Sequence, residues 1–529
     1  RLRPSKALCS MNQRGFSMRR TLATLLLTSL LLIATTTLAR AQATAQIAGT
    51  ITDETGAGIP SAEIKVTQPA TGAVRTVNSG ADGGYVLTSL PLGPYILEAA
   101  KAGFSKSVQT GIVLQVDSNP TINVVMKVGS IAEQVTVEAG AAQVETHSTG
   151  IGQVVDNQRV AEMPLNGRNP IELVFLAGMA SFPGNGAVNT VRNYPTVVVS
   201  VAGGQPNSVT YLLDGALFQD PYNNLALPLP FPDALQEFKV ETSALQAQYG
   251  YHSGASVSAV TKSGTNEFHG DLFEFLRNGD LNARNFFATT RDTLKRHQYG
   301  GGLGGRIIKD KLFFFGGYQR TSQRSDPSQS TAFVPTPLML QGDFTQVSSA
   351  ACQNNRAITL ATASGFAGNK ISPARFSPVT VAIAKTLPVT SDPCGRTLYG
   401  LKSNQDEDLP VARVDWQQSE KHSVFARATF AKLHQDSTFD GSNPLSINQY
   451  GVNDYDYQLA LGSTYLIGSN IVNSLRLSAS RTNVAKFDDQ YKSWKDFGSN
   501  FSDVGGKVIR LAVSGGGNFA IGTSASVPG

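Results

Sequence analysis

Charge is scarce in this sequence. Only 16% of its 529 residues are Asp, Glu, Lys or Arg. That argues against a charge-solvated helical or disordered chain. Seven basic residues (Arg1, Arg3, Lys6, Arg14, Arg19, Arg20 and Arg40) fall within residues 1–43, which hold no Asp or Glu. Beyond them 37 basic residues face 39 acidic ones, so the formal charge of +5 comes from the leader. A nucleic-acid partner is therefore not expected. Cysteine is nearly absent, at three residues. The six His show no metal-ligand spacing, and no metal or cofactor is expected. Walker A, G-x-S-x-G and H-E-x-x-H patterns are missing, so no catalytic residue is assigned and no enzyme is expected. Gly300–Gly305 fits G-x-G-x-x-G but leads into the Phe-rich run Leu312–Phe315, not a helix, which excludes a dinucleotide site.

Long apolar runs are also lacking after the first. Arg19-Arg20, the apolar stretch Leu22–Leu38 and Ala41-Gln42-Ala43 form the n-region, h-region and cleavage site of a secretory signal. Residues 1–43 are thus read as a signal peptide with an upstream extension, starting at Met18 or Met11; a membrane anchor is the alternative. With no second run of membrane-helix length, any later membrane crossing has to be a β-barrel.

What is abundant is Gly (51), Phe (26) and Pro (25), a composition suited to β structure. From 45 to 127 short alternating runs predict seven strands: Gln46–Thr52, Ala62–Gln68, Val74–Ser79, Tyr85–Leu90, Tyr95–Ala100, Ile112–Val116 and Thr121–Lys127. Turn clusters such as Asp82-Gly83-Gly84 separate them, which predicts a small β-sandwich. Tyr85 and Tyr95 alternate with apolar partners and are expected in its core. Beyond residue 267 seven longer strands are predicted: His269–Arg277, Gln298–Ile307, Leu312–Gln319, Val411–Gln417, Ser423–Ala431, Tyr455–Leu466 and Ile471–Arg481. Tight turns (Ile308–Lys311, Ser419–His422, Ile467–Asn470) alternate with long loops, of which 321–408 is the longest. Membrane barrels have this rhythm. Val411, Arg413 and Asp415 share one face of their strand, and Ala412, Val414 and Trp416 the other. Gln405–Asp408 is read as a solvated acidic loop. Cys9 leaves with the leader; Cys352 and Cys394 either close a disulfide within 321–408 or remain two unpaired thiols.

The wording of three regions carries a family resemblance. GTITDETGAGIPSAEIKV (Gly49–Val66) and ATGAVRTVNSGADGGYVLTSLPLGPYILEAAKAGF (Ala70–Phe104) resemble the carboxypeptidase-regulatory-like domain, a transthyretin-like sandwich. RVAEMPLNGRNP (Arg159–Pro170), VSVAGGQPNSVTYLLDGA (Val199–Ala216) and Phe231–Asn266 resemble the plug of TonB-dependent receptors. VSAVTKSGTNEFHGDLFEFLRN (Val257–Asn278) resembles the junction at which that plug hands over to the barrel, in the Oar-like branch of the family. In QYGGGLGGRIIKDKLFFF, Arg306 and Ile307 stand where the family usually has Gly-Pro.

The resemblance implies an all-β-dominated fold: the sandwich at 45–127, a mixed α+β plug at 128–266, and at 267–529 the first part of an outer-membrane antiparallel barrel. Seven strands against a family barrel of about 22 imply a C-terminal truncation, and an unclosed wall is not expected to insert into lipid alone. The implied function is uptake of an external ligand, a glycan or a peptide among the candidates, with a TonB-type energy-coupling protein and outer-membrane lipid as partners. A short strand at Glu133, Gln134, Val135, Thr136 and Val137 stands where the family pairs with TonB by β-augmentation; an ordinary edge strand is the other reading. Asp214, Arg168 and Glu237 are expected to pair with the barrel wall. Two alternatives remain: a structural or adhesive surface protein without transport, and a secreted carbohydrate-binding protein.

Overall fold

A computed structural model describes residues 45–522 apart from 130–133, 139–149, 184–196, 244, 246–252, 285–290, 292, 326–327, 403, 448, 468–470, 488–490, 502–508, 510 and 514–518. The leader 1–43, Glu133 and the turn residues 468–470 lie outside the described residues.

The seven runs of the first segment become β1 (Ala45–Asp53), β2 (Glu63–Gln68), β3 (Ala73–Asn78), β4 (Gly84–Leu90), β5 (Gly93–Ala100), β6 (Lys106–Leu114) and β7 (Val124–Met126). An eighth strand, β8 (Gln134–Glu138), joins them. Two sheets form, in the orders β4-β1-β7 and β3-β2-β5-β6-β8. Every second side chain turns inward, and Ile47, Ile51, Ile64, Val66, Leu87 and Leu97 fill the space between the sheets. Tyr85 and Tyr95 belong to that core and keep their hydroxyls satisfied, donating to the carbonyls of Ile122 and Pro91.

The middle domain holds β9 (Ile151–Asp156), the helix Asn157–Glu162, β10 (Ala180–Ser181), β11 (Ser200–Val201), β12 (Val209–Leu213), β13 (Ala216–Leu217), β14 (Leu235–Ser243) and β15 (Ala255–Thr261). Its main sheet runs β13-β12-β15-β14-β9, with β12 and β15 parallel. Asp156 caps the helix, accepting from the Arg159 amide. Ala234–Phe238, which the sequence suggests as a helical turn entered from Pro232-Asp233, is not one: the turn spans Pro232–Ala234, and Leu235–Phe238 opens β14. Along β14, Phe238 and Val240 enter the domain core while Glu237, Lys239 and Glu241, also buried, take the opposite face.

The last segment is a seven-stranded antiparallel sheet in sequence order. Its strands are β16 (His269–Asn278), β17 (Lys295–Ile308), β18 (Leu312–Arg324), β21 (Gln405–Ser419), β22 (His422–Gln435), β23 (Gly451–Ile467) and β24 (Ile471–Phe487). All seven predicted strands are present and longer than their patterns. Between β18 and β21 lie β19 (Ser328–Phe333) and β20 (Arg396–Leu401), which pair with each other; β25 (Leu511–Val513) and β26 (Phe519–Ile521) follow β24. The loops beyond one rim share a core of their own, including Val334, Ile383, Leu445 and Phe497. Cys352 and Cys394 are joined in this region, their Cα atoms 5.2 Å apart.

The register assigns faces along the wall. One face carries Leu272, Leu303, Tyr318, Val414, Trp416, Tyr457, Leu459, Leu461 and Leu477, all exposed. Leu272 reaches 92%. The other face carries Gln298, Gln319, Thr321, Arg413, Arg427, Asp454, Asp456 and Gln458, and it covers the middle domain. A belt of large apolar residues facing outward and polar residues facing inward is the inverse of a soluble sheet, and is the pattern of an outer-membrane wall. Among the described residues, no helix is long and apolar enough to cross a membrane.

Gly264 sits at the junction. Its backbone is not left-handed; instead an added Cβ would stand 2.4 Å from the carbonyl oxygens of Gly305 and Phe314. Glycine is required there for close approach.

Candidate functional site

The functional geometry is a polar seam between the middle domain and the wall. At its centre is Asp214, in the tight turn from β12 to β13, with φ of 52°. Its carboxylate accepts from the Thr261 amide at 2.9 Å, fixing the turn to β15. Two wall arginines reach it: Arg413 Nη1 at 2.9 Å and Arg427 Nη1 at 3.1 Å. Arg413 also forks onto Asp415 on its own strand. Arg427 donates onward to Gln458 Oε1 at 2.5 Å, and Gln458 Nε2 returns to the Leu217 carbonyl at 2.9 Å. The chain of bonds therefore leaves the middle domain at Asp214 and re-enters it three residues later.

A second hold lies at Arg168, in the Asn166–Arg168 turn. It pairs with Asp233 of its own domain and lies over the wall rings of Phe275 (4.0 Å) and Phe273 (4.8 Å). Burial pushes its guanidinium below the usual arginine range, against the opposing pull of Asp233. Wall residue Gln298 donates to the Gly167 carbonyl at 3.0 Å. Beside it Phe231 and Ala234 pack with Phe315 and Val411 of the wall. Of the three charged residues expected to pair with the wall, Asp214 does so, and Arg168, besides its pair with Asp233, donates from Nε to the wall's Gln319 Oε1 at 3.5 Å. Glu237 does not, because its face of β14 is turned to the sandwich, where it accepts from the Val116 amide at 2.7 Å. Burial pushes its carboxyl up to about 7; the Val116 bond opposes that rise and Asp117 adds to it.

Of the strand singled out as a partner contact, Gln134–Val137 lies in β8, paired in parallel with β6 at the edge of the sandwich; Val135, Thr136 and Val137 are exposed. The acidic run Gln405–Asp408 is not a loop: it opens β21, where Asp406 and Asp408 pair with Arg320 and Arg324 of β18. Between the sandwich, the middle domain and the wall lies a cavity of about 420 Å³, lined among others by Pro94, Lys262, His269, Arg413 and Arg476. No group of three or more His, Cys, Asp or Glu among the described residues is placed to hold a metal ion. Sequence reasoning did not single out Arg427 and Gln458. The available signal was a charged residue in phase with small and apolar ones in Phe425–Ala431.

Comparison with known proteins follows the same division. Residues 260–528 match the family described as outer membrane beta barrel domain, and residues 46–127 match the carboxypeptidase regulatory-like domain. The TonB-dependent transporter Oar of Myxococcus xanthus is 30% identical over 275 residues, which is 49% of this chain and 25% of that protein. Among solved structures, a mutant of the ferric enterobactin receptor PfeA of Pseudomonas aeruginosa aligns with a TM-score of 0.40 at 12% identity, covering 66% of this chain and 43% of that one. The outer membrane transporter YddB of Escherichia coli aligns with a TM-score of 0.39 at 11% identity, covering 64% and 39%. The chain spans about a quarter of the length of its curated relative and less than half of these two receptors. It belongs to the outer-membrane β-barrel family, alongside TonB-dependent transporters of the Oar type, and carries a carboxypeptidase regulatory-like domain ahead of its barrel.

Proposed function

We propose that this chain supplies the sandwich, the plug and seven wall strands of an exported outer-membrane TonB-dependent receptor, with the middle domain as the plug inside the wall and no catalytic step. The observation that carries the reading is the Asp214–Arg413–Arg427 seam: a separate domain is held against the inner face of a sheet whose outer face is apolar. Polar attachment suits a part that has to let go, since breaking it exchanges one set of hydrogen bonds for water. Energy for release would arrive through β8, the last strand in its sheet order. The ligand is unassigned, and residues 45–127 point to a glycan by fold analogy alone.

A photoreactive residue at Val137 in cells that make the receptor and a TonB-type protein tests the coupling. A cross-linked species containing both proteins is expected. Its absence at Val137 and at Val135 alike would remove the coupling strand and favour the structural or adhesive reading. Recovery of mature protein from culture medium, with none in the membrane fraction, would favour the secreted one.

A further inference from the structure

The sandwich bonds on one side to the plug and on the other to the edge of the wall. Toward the plug, the Val116 amide donates to Glu237, and Asp117 lies 3.8 Å from Lys239, which is itself paired with Glu241 at 2.7 Å. Toward the wall, the Ala70 carbonyl accepts at 2.8 Å from the amide of Asn266, in the link between β15 and β16 that is tied to the wall turn at Asp310. Asn266 and Asp310 exchange two further bonds: Nδ2 to Oδ1 at 2.7 Å, and the Asp310 amide to Asn266 Oδ1 at 2.9 Å. Gly72 lies so close that an added Cβ would stand 2.4 Å from Asp310 Oδ1.

We propose that the sandwich is a clamp bridging plug and wall, which has to undock from one of them before the plug can move. This rests on reading the middle domain as a movable plug. The geometry gives the clamp a direction. The strand that would receive a pull, β8, is paired to β6 over Lys106–Thr110. Continuing past Leu114, the same stretch of chain reaches Val116 and Asp117, the two residues that hold the plug. Past β8, residues 139–150 lead to β9, the plug strand paired with β14, on which Glu237 and Lys239 sit. A force on β8 therefore acts on both sides of one latch. The wall contacts at Asn266 and Asp310 oppose it. The contacts named are polar and charged, and among the described residues sandwich and plug share no apolar cluster, as suits a reversible interface.

The test uses the whole chain in detergent micelles and reads hydrogen exchange in the plug strands, with no partner or ligand present. Gly72→Asp sets a carboxylate against Asp310 from the sandwich side, and Asp tolerates the φ of 71° at that position. Gly56→Asp is the matched control: it has a similar φ of 87° and nothing within 4 Å. Asp310→Gly cuts the hold from the wall side at a φ of 59° that glycine accepts. Exchange in residues 209–217 and 235–243 is expected to rise about tenfold in Gly72→Asp and in Asp310→Gly, with residues 45–53 and 93–100 as protected as before. Gly56→Asp is expected to leave the plug unchanged. Unaltered plug exchange in both wedge variants overturns the clamp. The Val137 cross-link, made in cells, reports separately on the coupling strand.

Discussion

Arg427 has no exposed side-chain surface, and its guanidinium meets the carboxylate of Asp214, 213 residues earlier in the chain. A buried cation of this kind is tolerated because a fixed anion faces it. The pair is therefore a statement about where the plug must sit. Removing the anion leaves Arg427 and Arg413 both without it.

Asp214→Ala is expected to lower the denaturant resistance of the plug by about 3 kcal/mol, the usual cost of stranding a buried charge. Arg427→Met in the same background should recover part of that loss, because the uncompensated charge goes with it. Urea titrations of the single and double variants, followed through plug exchange, measure the coupling. A loss below about 0.5 kcal/mol in Asp214→Ala would show that the seam does not hold the plug.

Glu237 predicts a pH dependence at the sandwich–plug contact. Its folded-state value is raised from 4.5 to about 7 by burial, with Asp117 and Asp156 adding to the rise and the Val116 amide and Lys239 opposing it. A raised carboxyl binds its proton more tightly when folded. Docking is thus strongest below about pH 4.5, weakens as pH climbs to about 7, and then levels off. The full span is roughly 3 kcal/mol. Glu237→Gln keeps an oxygen for the Val116 amide and should flatten this slope. Exchange at the Val116 amide between pH 5 and 8, corrected for intrinsic rates, is the readout; an equal slope in both proteins would assign the effect elsewhere.

The strands of the wall were legible because period-two alternation is local. Val411, Arg413 and Asp415 show their shared face in any five-residue window, and the register puts that face against the plug. Of the strand ends only the starts at His269, Leu312 and Ile471 were legible. Asp406 and Asp408 read as loop because only their pairing with Arg320 and Arg324, more than eighty residues away, makes an acidic run acceptable in a strand. The same reason hid the direction of Glu237. EFKVE alternates clearly, but which body the charged face meets depends on where the sandwich docks, and no local pattern encodes that.

Cys352 and Cys394 close a loop over a sequence separation of 42. Restricting the unfolded chain to that extent is worth about 4 kcal/mol in the loop-entropy account. The unreduced mature protein is expected to show no reactive thiol. Cys352→Ser with Cys394→Ser should speed exchange in the loop core around Val334 and Ile383 while leaving the wall strands unaffected. Two reactive thiols in the mature protein would rule the bridge out.

The outward face of the wall makes the sharpest demand on the surroundings, and the two tryptophans of the chain separate its outcomes. Trp416 stands on β21 beside Leu312 of β18 and Val424 of β22, 46% exposed, on the same face as Val414 and Leu461. An indole at that position belongs at the edge of an apolar belt, where its ring is covered by acyl chains and its N–H reaches water. Trp494 instead packs into the loop core with Phe497 and Tyr491, away from the wall. Brominated detergent quenches an indole only on contact. It is expected to remove most of the Trp416 emission and little of that from Trp494, with Trp416→Phe and Trp494→Phe supplying the separate signals. Equal quenching of the two would mean that the wall has no oil-facing side. In that case Leu272, Leu459 and Leu477 would be an exposed surface in search of another protein.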